Sequence, residues 1–127
     1  MWTYEHSVET TAQPAAIWRL WADVAHWGDW NAEIEAVEIH GPFAEGTEIV
    51  MTPPGIRLTL AEVVENDRFV DEARVDGMVI RTMHRIGDGR VTYRMEISGP
   101  AGAQVGPQIT ADWPQTMAAL VKLAENG

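Results

Sequence analysis

The sequence predicts an α+β protein with one strand, two short helices, six consecutive antiparallel strands and a long C-terminal helix. Three observations carry this. A two-residue alternation opens the chain, a helical spacing of apolar residues follows and returns only after Pro100, and turn signals divide the stretch between them, including two Asp-Gly pairs. The 127 residues fit one domain, long enough to bury roughly two thirds of the surface that the unfolded chain exposes.

In "WTYEHSVET" Trp2, Tyr4, His6 and Val8 alternate with Thr3, Glu5, Ser7 and Glu9, the period of a half-buried strand. From Pro14, which suits a first helical turn, Ile17, Leu20, Trp21 and Val24 fall at helical spacing. Asp23 and Asp29 are candidate caps, and Gly28 makes "VAHWGDWN" a second short helix or turn. "IEAVEIH" and "TEIVMT" flank the Gly41–Gly46 loop as strands. "PPG" at 53–55 breaks the chain, and hairpins are expected at Asn66-Asp67, Asp76-Gly77 and Asp88-Gly89. After Pro100, Val105, Ile109, Trp113, Met117, Leu120 and Ala124 keep one helical face. Pro107 and Pro114 predict a kink, and Asp112 followed by Gln115 offers a fresh N-terminus that would divide the helix in two.

Two-residue loops at the hairpins predict the pairing. On one face Val75 meets Met78, Ala73 meets Ile80, Asp71 meets Thr82 and Phe69 meets His84. Ile86 then meets Val91, His84 meets Tyr93, Thr82 meets Met95 and Ile80 meets Ile97. On the other face Arg81 falls between Glu72 and Glu96, a charge ladder that a one-residue slip would destroy. The same count at Asn66-Asp67 places Val64 opposite Phe69, Glu62 opposite Asp71 and Leu60 opposite Ala73.

Composition removes several functions. The net charge of −10 repels phosphate backbones and anionic bilayers, so no nucleic-acid partner is expected. No apolar run approaches the roughly 20 residues of a membrane-spanning helix, so no membrane insertion is expected. Met1 leads into the first strand without a basic segment or apolar signal core, which predicts a cytoplasmic location. The absence of cysteine excludes disulfides, thiolate nucleophiles and zinc-thiolate sites. Neither Ser7 nor Ser98 sits in a nucleophile elbow, and "GDGRVT" and "GPAGAQVG" match no phosphate loop, so no nucleotide or other cofactor is implied.

The segments "AAIWRLWADVAHWGDWN", "GPFAEGTE", "VVENDRFVDEAR" and "GDGRVTYRMEISGP" resemble the polyketide cyclase/dehydrase and lipid-transport family of the START-like (SRPBCC, helix-grip) superfamily, over nearly the whole chain. The resemblance implies a curved antiparallel sheet of about seven strands wrapped around the terminal helix. It also implies a ligand cavity between the two and no fixed catalytic set. "AGAQVGPQITADWPQT" departs from the family's long helix in its glycines and prolines. Four of the six tryptophans lie within residues 17–31. In this architecture Trp18 and Trp21 are expected to wedge helix to sheet, and Trp27 and Trp30 to line the entrance.

Most of the expected inner face is apolar: Leu58, Leu60, Val64, Phe69, Ala73, Val75, Met78, Ile80, Ile86, Val91, Met95 and Ile97. Against it stand Glu62, Asp71, Thr82, His84 and Tyr93, joined by His6 from the first strand. These six polar groups, the wall residues Phe69, Ile80 and Met95, the entrance pair Trp27 and Trp30, and Ile109, Trp113 and Met117 of the terminal helix are the expected ligand contacts. The polar set is either an orienting patch in an apolar pocket or a self-satisfied network serving the sheet.

Three functions remain open from the sequence: a carrier of a small hydrophobic or aromatic molecule, monomeric or homodimeric; a cyclase or dehydratase using His84 with Asp71 and Tyr93; and an interaction module with a filled interior. His6, His84 and Asp71 could form an iron-binding facial triad in principle, but they share no local spacing motif, and no metal is expected.

Overall fold

A computed structural model of the chain describes residues 1–52 and 55–126. Its elements are β1 (Trp2–Glu9), α1 (Pro14–Ala22), a 3-10 helix (Val24–Asp29), β2 (Ala36–Ile39), β3 (Glu48–Thr52), β4 (Ile56–Val64), β5 (Arg68–Val75), β6 (Met78–Gly87), β7 (Arg90–Ser98), α2 (Gly102–Thr110) and α3 (Trp113–Asn126). The seven strands form one curved antiparallel sheet in the order β1-β7-β6-β5-β4-β3-β2. Because β1 pairs with β7 while β2 lies at the opposite edge, the segment between β1 and β2 must span the full width of the sheet. The tryptophan-rich α1 and 3-10 helix make that crossing.

Both Asp-Gly turns carry positive φ at their two central residues, 50° and 79° at Asp76-Gly77 and 55° and 72° at Asp88-Gly89. This is the type I′ geometry whose twist matches the flanking strands. Every expected pair from Val75↔Met78 to Ile80↔Ile97 is present, as are Glu72↔Arg81 and Arg81↔Glu96. Within the ladder the Arg81 guanidinium pairs with Glu72, while Glu96 accepts a bond from Arg94.

The Asn66 hairpin differs from expectation. Val64 pairs with Arg68, so the loop holds three residues, with Asn66 at φ 62°. A register shift between Leu60 and Glu62 inserts a bulge. Val63 therefore faces Phe69, Leu60 faces Asp71, and Glu62 faces Val70. Glu62 turns to the convex face and pairs with Arg68, and Val64 is exposed. Pro53 and Pro54, where the "PPG" break was expected, lie outside the described residues, and Gly55 has φ 86°.

The helical face after Pro100 is divided, as Asp112 allowed. α2 ends at Thr110 and α3 begins at Trp113, with the Thr116 hydroxyl donating to the Asp112 carboxylate at 3.2 Å. Asp23 makes no capping bond; its carboxylate meets His26 Nδ1 at 2.9 Å. No helix among the described residues is long and apolar enough to cross a membrane.

The core joins both ends of the chain. Ile17 and Trp21 of α1, Phe69 and Ile97 of the sheet, and Met117 and Leu120 of α3 are buried together. α2 packs on β1 and β7, and α3 on β1 and α1. The glycines of α2 permit its approach. A Cβ on Gly106 would lie 2.4 Å from the Trp2 ring, and one on Gly102 would lie 3.1 Å from Trp2 Cβ. Gly106→Ala would gain about 1 kcal/mol of helix propensity but overpack the contact by about 1–3 kcal/mol. A net loss of stability is expected, read as a lower denaturation midpoint, and an unchanged or raised midpoint would show that Trp2 yields freely.

Candidate ligand pocket

The pocket follows from strand parity. Residues of β5, β6 and β7 whose numbers alternate from Phe69, Ile80 and Val91 share the concave face, and above them the sheet is not filled by its own side chains. A pocket of about 590 Å³ lies there, within the size range of small-molecule sites. Its apolar wall comes from Met51 on β3, Ile56 and Leu58 on β4, Phe69 and Ala73 on β5, Ile80 on β6 and Met95 on β7. Trp27, Trp30 and Ile34 line it from the crossing segment, and Ile109, Ala111 and Trp113 from the junction of α2 and α3. Asp71, Thr82, His84 and Tyr93 form a polar floor on three adjacent strands.

His84 sits in an aromatic box. Its ring stacks on Phe69 at 3.9 Å and 5°, meets Tyr93 edge-on at 4.6 Å, and lies 6.0 Å from Trp21. Nδ1 is 3.3 Å from the Phe69 carbonyl oxygen, which can only accept, so this bond requires the proton on Nδ1 and leaves Nε2 as an acceptor. Burial pulls the imidazole down to about 3, against which the Phe69 bond works, and the ring is neutral at physiological pH.

Asp71 is 6% exposed, and its carboxyl makes no side-chain hydrogen bond among the described residues; the nearest ring nitrogen, His84 Nε2, is 4.0 Å away. Burial first, and the charge of Glu72 second, push it up to about 7. The Tyr93 oxygen accepts from Trp21 Nε1 at 3.2 Å and keeps its own proton to donate, since burial pushes its pKa above the ordinary phenol range. The floor thus presents an acceptor at Nε2, a carboxyl near its titration point and a phenol donor. A single neutral hydrogen-bond network does not consume them.

Of the residues expected from the sequence, Trp27, Trp30, Phe69, Asp71, Ile80, Thr82, His84, Tyr93, Met95, Ile109 and Trp113 are brought together around the pocket. Three are not. Glu62 lies on the convex face because of the bulge. His6 lies opposite Tyr93 on edge strand β1 but outside the pocket. Met117 is fully buried in the core between helix and sheet. Trp18 and Trp21 wedge helix to sheet as expected, Trp18 edge-on to Phe43 and Phe69, Trp21 edge-on to Phe69. Sequence reasoning missed Asn31, Glu33, Gln108 and Asp112, which line the rim, and the buried Thr116 beside them. Their one signal was position, since they flank the interruptions at Gly28-Asp29 and at Pro107 and Pro114. Among the described residues no group of three or more His, Asp or Glu side chains is arranged to hold a metal ion, and His6 does not join His84 and Asp71.

The floor has a measurable pH signature. Asp71 rises from 3.8 to about 7 on folding, so its contribution to stability is present at low pH and is lost as pH rises through that window. His84 falls from 6.5 to about 3, so its contribution is present above 6.5 and is lost on acidification. Between about pH 4 and pH 6.5 the two slopes oppose, each worth up to about 1.4 kcal/mol per pH unit. Relative to the native sequence, Asp71→Asn should therefore lose stability on acidification across this range, and His84→Gln should gain it. Urea denaturation at several pH values measures both, and slopes of the same sign would refute the assignment.

The model of the family described as polyketide cyclase / dehydrase and lipid transport matches residues 1–125. No curated protein matches the chain. Among solved structures, Ara h 8.0201 superposes with a TM-score of 0.72 at 15% identity, covering 99% of each chain. Protein MLL2253 from Mesorhizobium loti superposes with a TM-score of 0.76 at 12% identity, covering 98% of each. DynU16, from the dynemicin biosynthetic locus, gives a TM-score of 0.69 at 16% identity, covering 94% of this chain and 46% of its own. At these identities the structures share the fold, and the family match extends over both the sheet and the terminal helices: the chain belongs to the polyketide cyclase/dehydrase and lipid-transport family.

Proposed function

We propose that the chain binds a small apolar or aromatic molecule between sheet and terminal helices, with its polar end on Asp71, Thr82, His84 and Tyr93. One observation carries this reading: a pocket of about 590 Å³ has a mainly apolar wall and a floor whose buried carboxyl has no hydrogen-bond partner among the described residues. A side-chain network serving only the sheet would have closed on itself. Trp27 and Trp30 on the wall provide the optical signal. Titration with a neutral aromatic such as naphthylethanol should quench tryptophan emission saturably. Ala73→Phe, which adds a ring to the wall, should weaken that binding at least about tenfold while the far-ultraviolet circular dichroism stays native. Absence of saturable binding, or binding indifferent to Ala73→Phe, counts against the reading.

A second reading is favoured by the His84 geometry. Its free Nε2 is oriented by the Phe69 carbonyl and lies 4.0 Å from Asp71, whose carboxylate, once ionised, would hold the imidazolium formed when the otherwise weakly basic ring removes a proton beside a carbonyl, with Tyr93 donating to the enolate. This would be cyclase or dehydratase chemistry on a polyketide-like substrate. His84→Gln separates the two readings. A carrier keeps its affinity within a few-fold, whereas an enzyme loses turnover by about two to four orders of magnitude with binding retained.

A further inference from the structure

All the arginines on the strands have convex-face parity. Arg57 pairs with Glu48, Arg68 with Glu62 and Asp67, Arg81 with Glu72, and Arg94 with Glu5 and Glu96. No lysine or arginine is among the described residues lining the pocket, whereas Glu33, Asp71 and Asp112 are. Asp112 is engaged by the Thr116 hydroxyl at the rim. Asp71 is the deep one, with its carboxyl turned into the pocket and unpartnered. The polar groups that share the pocket with it are Thr82 and His84 on β6, Tyr93 on β7, Glu33 from the crossing segment and Asp112 from the helix junction, with Glu72 beside it on its own strand. None is a cation at neutral pH, and His84 presents a lone pair.

A ligand carboxylate placed on this floor would meet one carboxyl group and one imidazole lone pair, with only the Tyr93 and Thr82 hydroxyls as donors. An ammonium would meet two acceptors and supply the positive charge that the buried carboxylate lacks. We propose that the pocket selects an apolar molecule bearing a basic nitrogen, bound as the cation on Asp71, and rejects the carboxylic acid of the same skeleton. The proposal rests on the binding reading above and specifies its ligand class. Binding converts a partly protonated Asp71 into an ion-paired carboxylate, so the cation displaces a proton to the buffer.

Naphthylethylamine, naphthylethanol and naphthylacetate share one skeleton and test this with the whole chain. Near neutral pH the amine is expected to bind about tenfold tighter than the alcohol, and the acid at least about tenfold weaker than the alcohol. The order should persist at about 0.5 M salt, where long-range attraction by the acidic protein is screened. Calorimetry in buffers of different ionisation enthalpy should detect proton release on amine binding, growing from about pH 8 to about pH 6, and none with the alcohol. Asp71→Asn should bring amine and alcohol affinities within about threefold. Proton release by the native protein stands independently, should that variant fail to fold.

Tight binding of naphthylacetate, or amine binding without proton release, overturns the charge assignment while leaving the binding reading intact. If none of the three binds, the binding reading itself fails.

Discussion

The two-residue period of the strands, held in register by two type I′ turns, is the constraint on which the rest depends. With loops of two residues at Asp76-Gly77 and Asp88-Gly89, β5, β6 and β7 cannot slip without losing the positive-φ geometry that Asp and Gly tolerate. A slip of one position would move Glu72, Arg81 and Glu96 to the concave face and expel Phe69, His84 and Tyr93. The charge of the pocket is therefore a matter of parity. Arg57, Arg68, Arg81 and Arg94 of the strands pair with carboxylates away from the pocket, and the concave carboxyl group is left to its aromatic surroundings.

Those surroundings explain the concentration of tryptophan after β1. A chain that must cross a whole sheet and still enclose space above it needs large buried area per residue, which indole supplies at little conformational cost. It also needs somewhere for the indole N–H groups to go. Trp27 donates to the Trp21 carbonyl at 2.8 Å, and Trp21 donates to Tyr93 at 3.2 Å, so one relay ties the 3-10 helix to α1 and α1 to the floor. Trp30, on the pocket wall, is the described residue whose buried N–H finds no partner. The residues that close the end of the sheet also fix the hydroxyl of Tyr93, so packing and the polarity of the floor are one arrangement.

How much of this was legible depended on whether a local rule governed the element. The β5–β6–β7 register was readable residue by residue, because Asp-Gly specifies a loop length and the loop length specifies every pair beyond it. Asn66-Asp67 carried no such specification. Asn66 adopts positive φ within a three-residue loop, and the bulge near Ala61 compounds the shift, so Glu62 and Val64 exchanged faces with their neighbours. Bulges arise from packing between strands, which a single strand's pattern does not encode. His6 and Met117 show a second limit. Periodicity assigned each to the correct side of its element, but whether a side chain on that side meets the pocket or the core is decided by where the opposing helices rest. Asn31 and Asp112 were not read as pocket residues for the converse reason, since they occupy interruptions between elements where no period operates.

The placement of the helices settles why the space opens where it does. α2 is drawn against β1 by its glycine face, with Gly106 against the Trp2 ring and Gly102 against Trp2 and Ile97, and α3 packs on β1 and α1. Both terminal helices thus rest towards the β1–β7 side of a sheet seven strands wide. The concave faces of β4 and β5 then look onto the helix break at Ala111-Asp112 and onto the tryptophans of the crossing segment, and Leu58, Phe69, Asp71 and Ala73 line what is left between them. The residues that depart most from an ideal helix are accordingly the ones that seat α2 against β1 and bring the α2–α3 junction, with Ile109, Ala111 and Trp113, over the pocket.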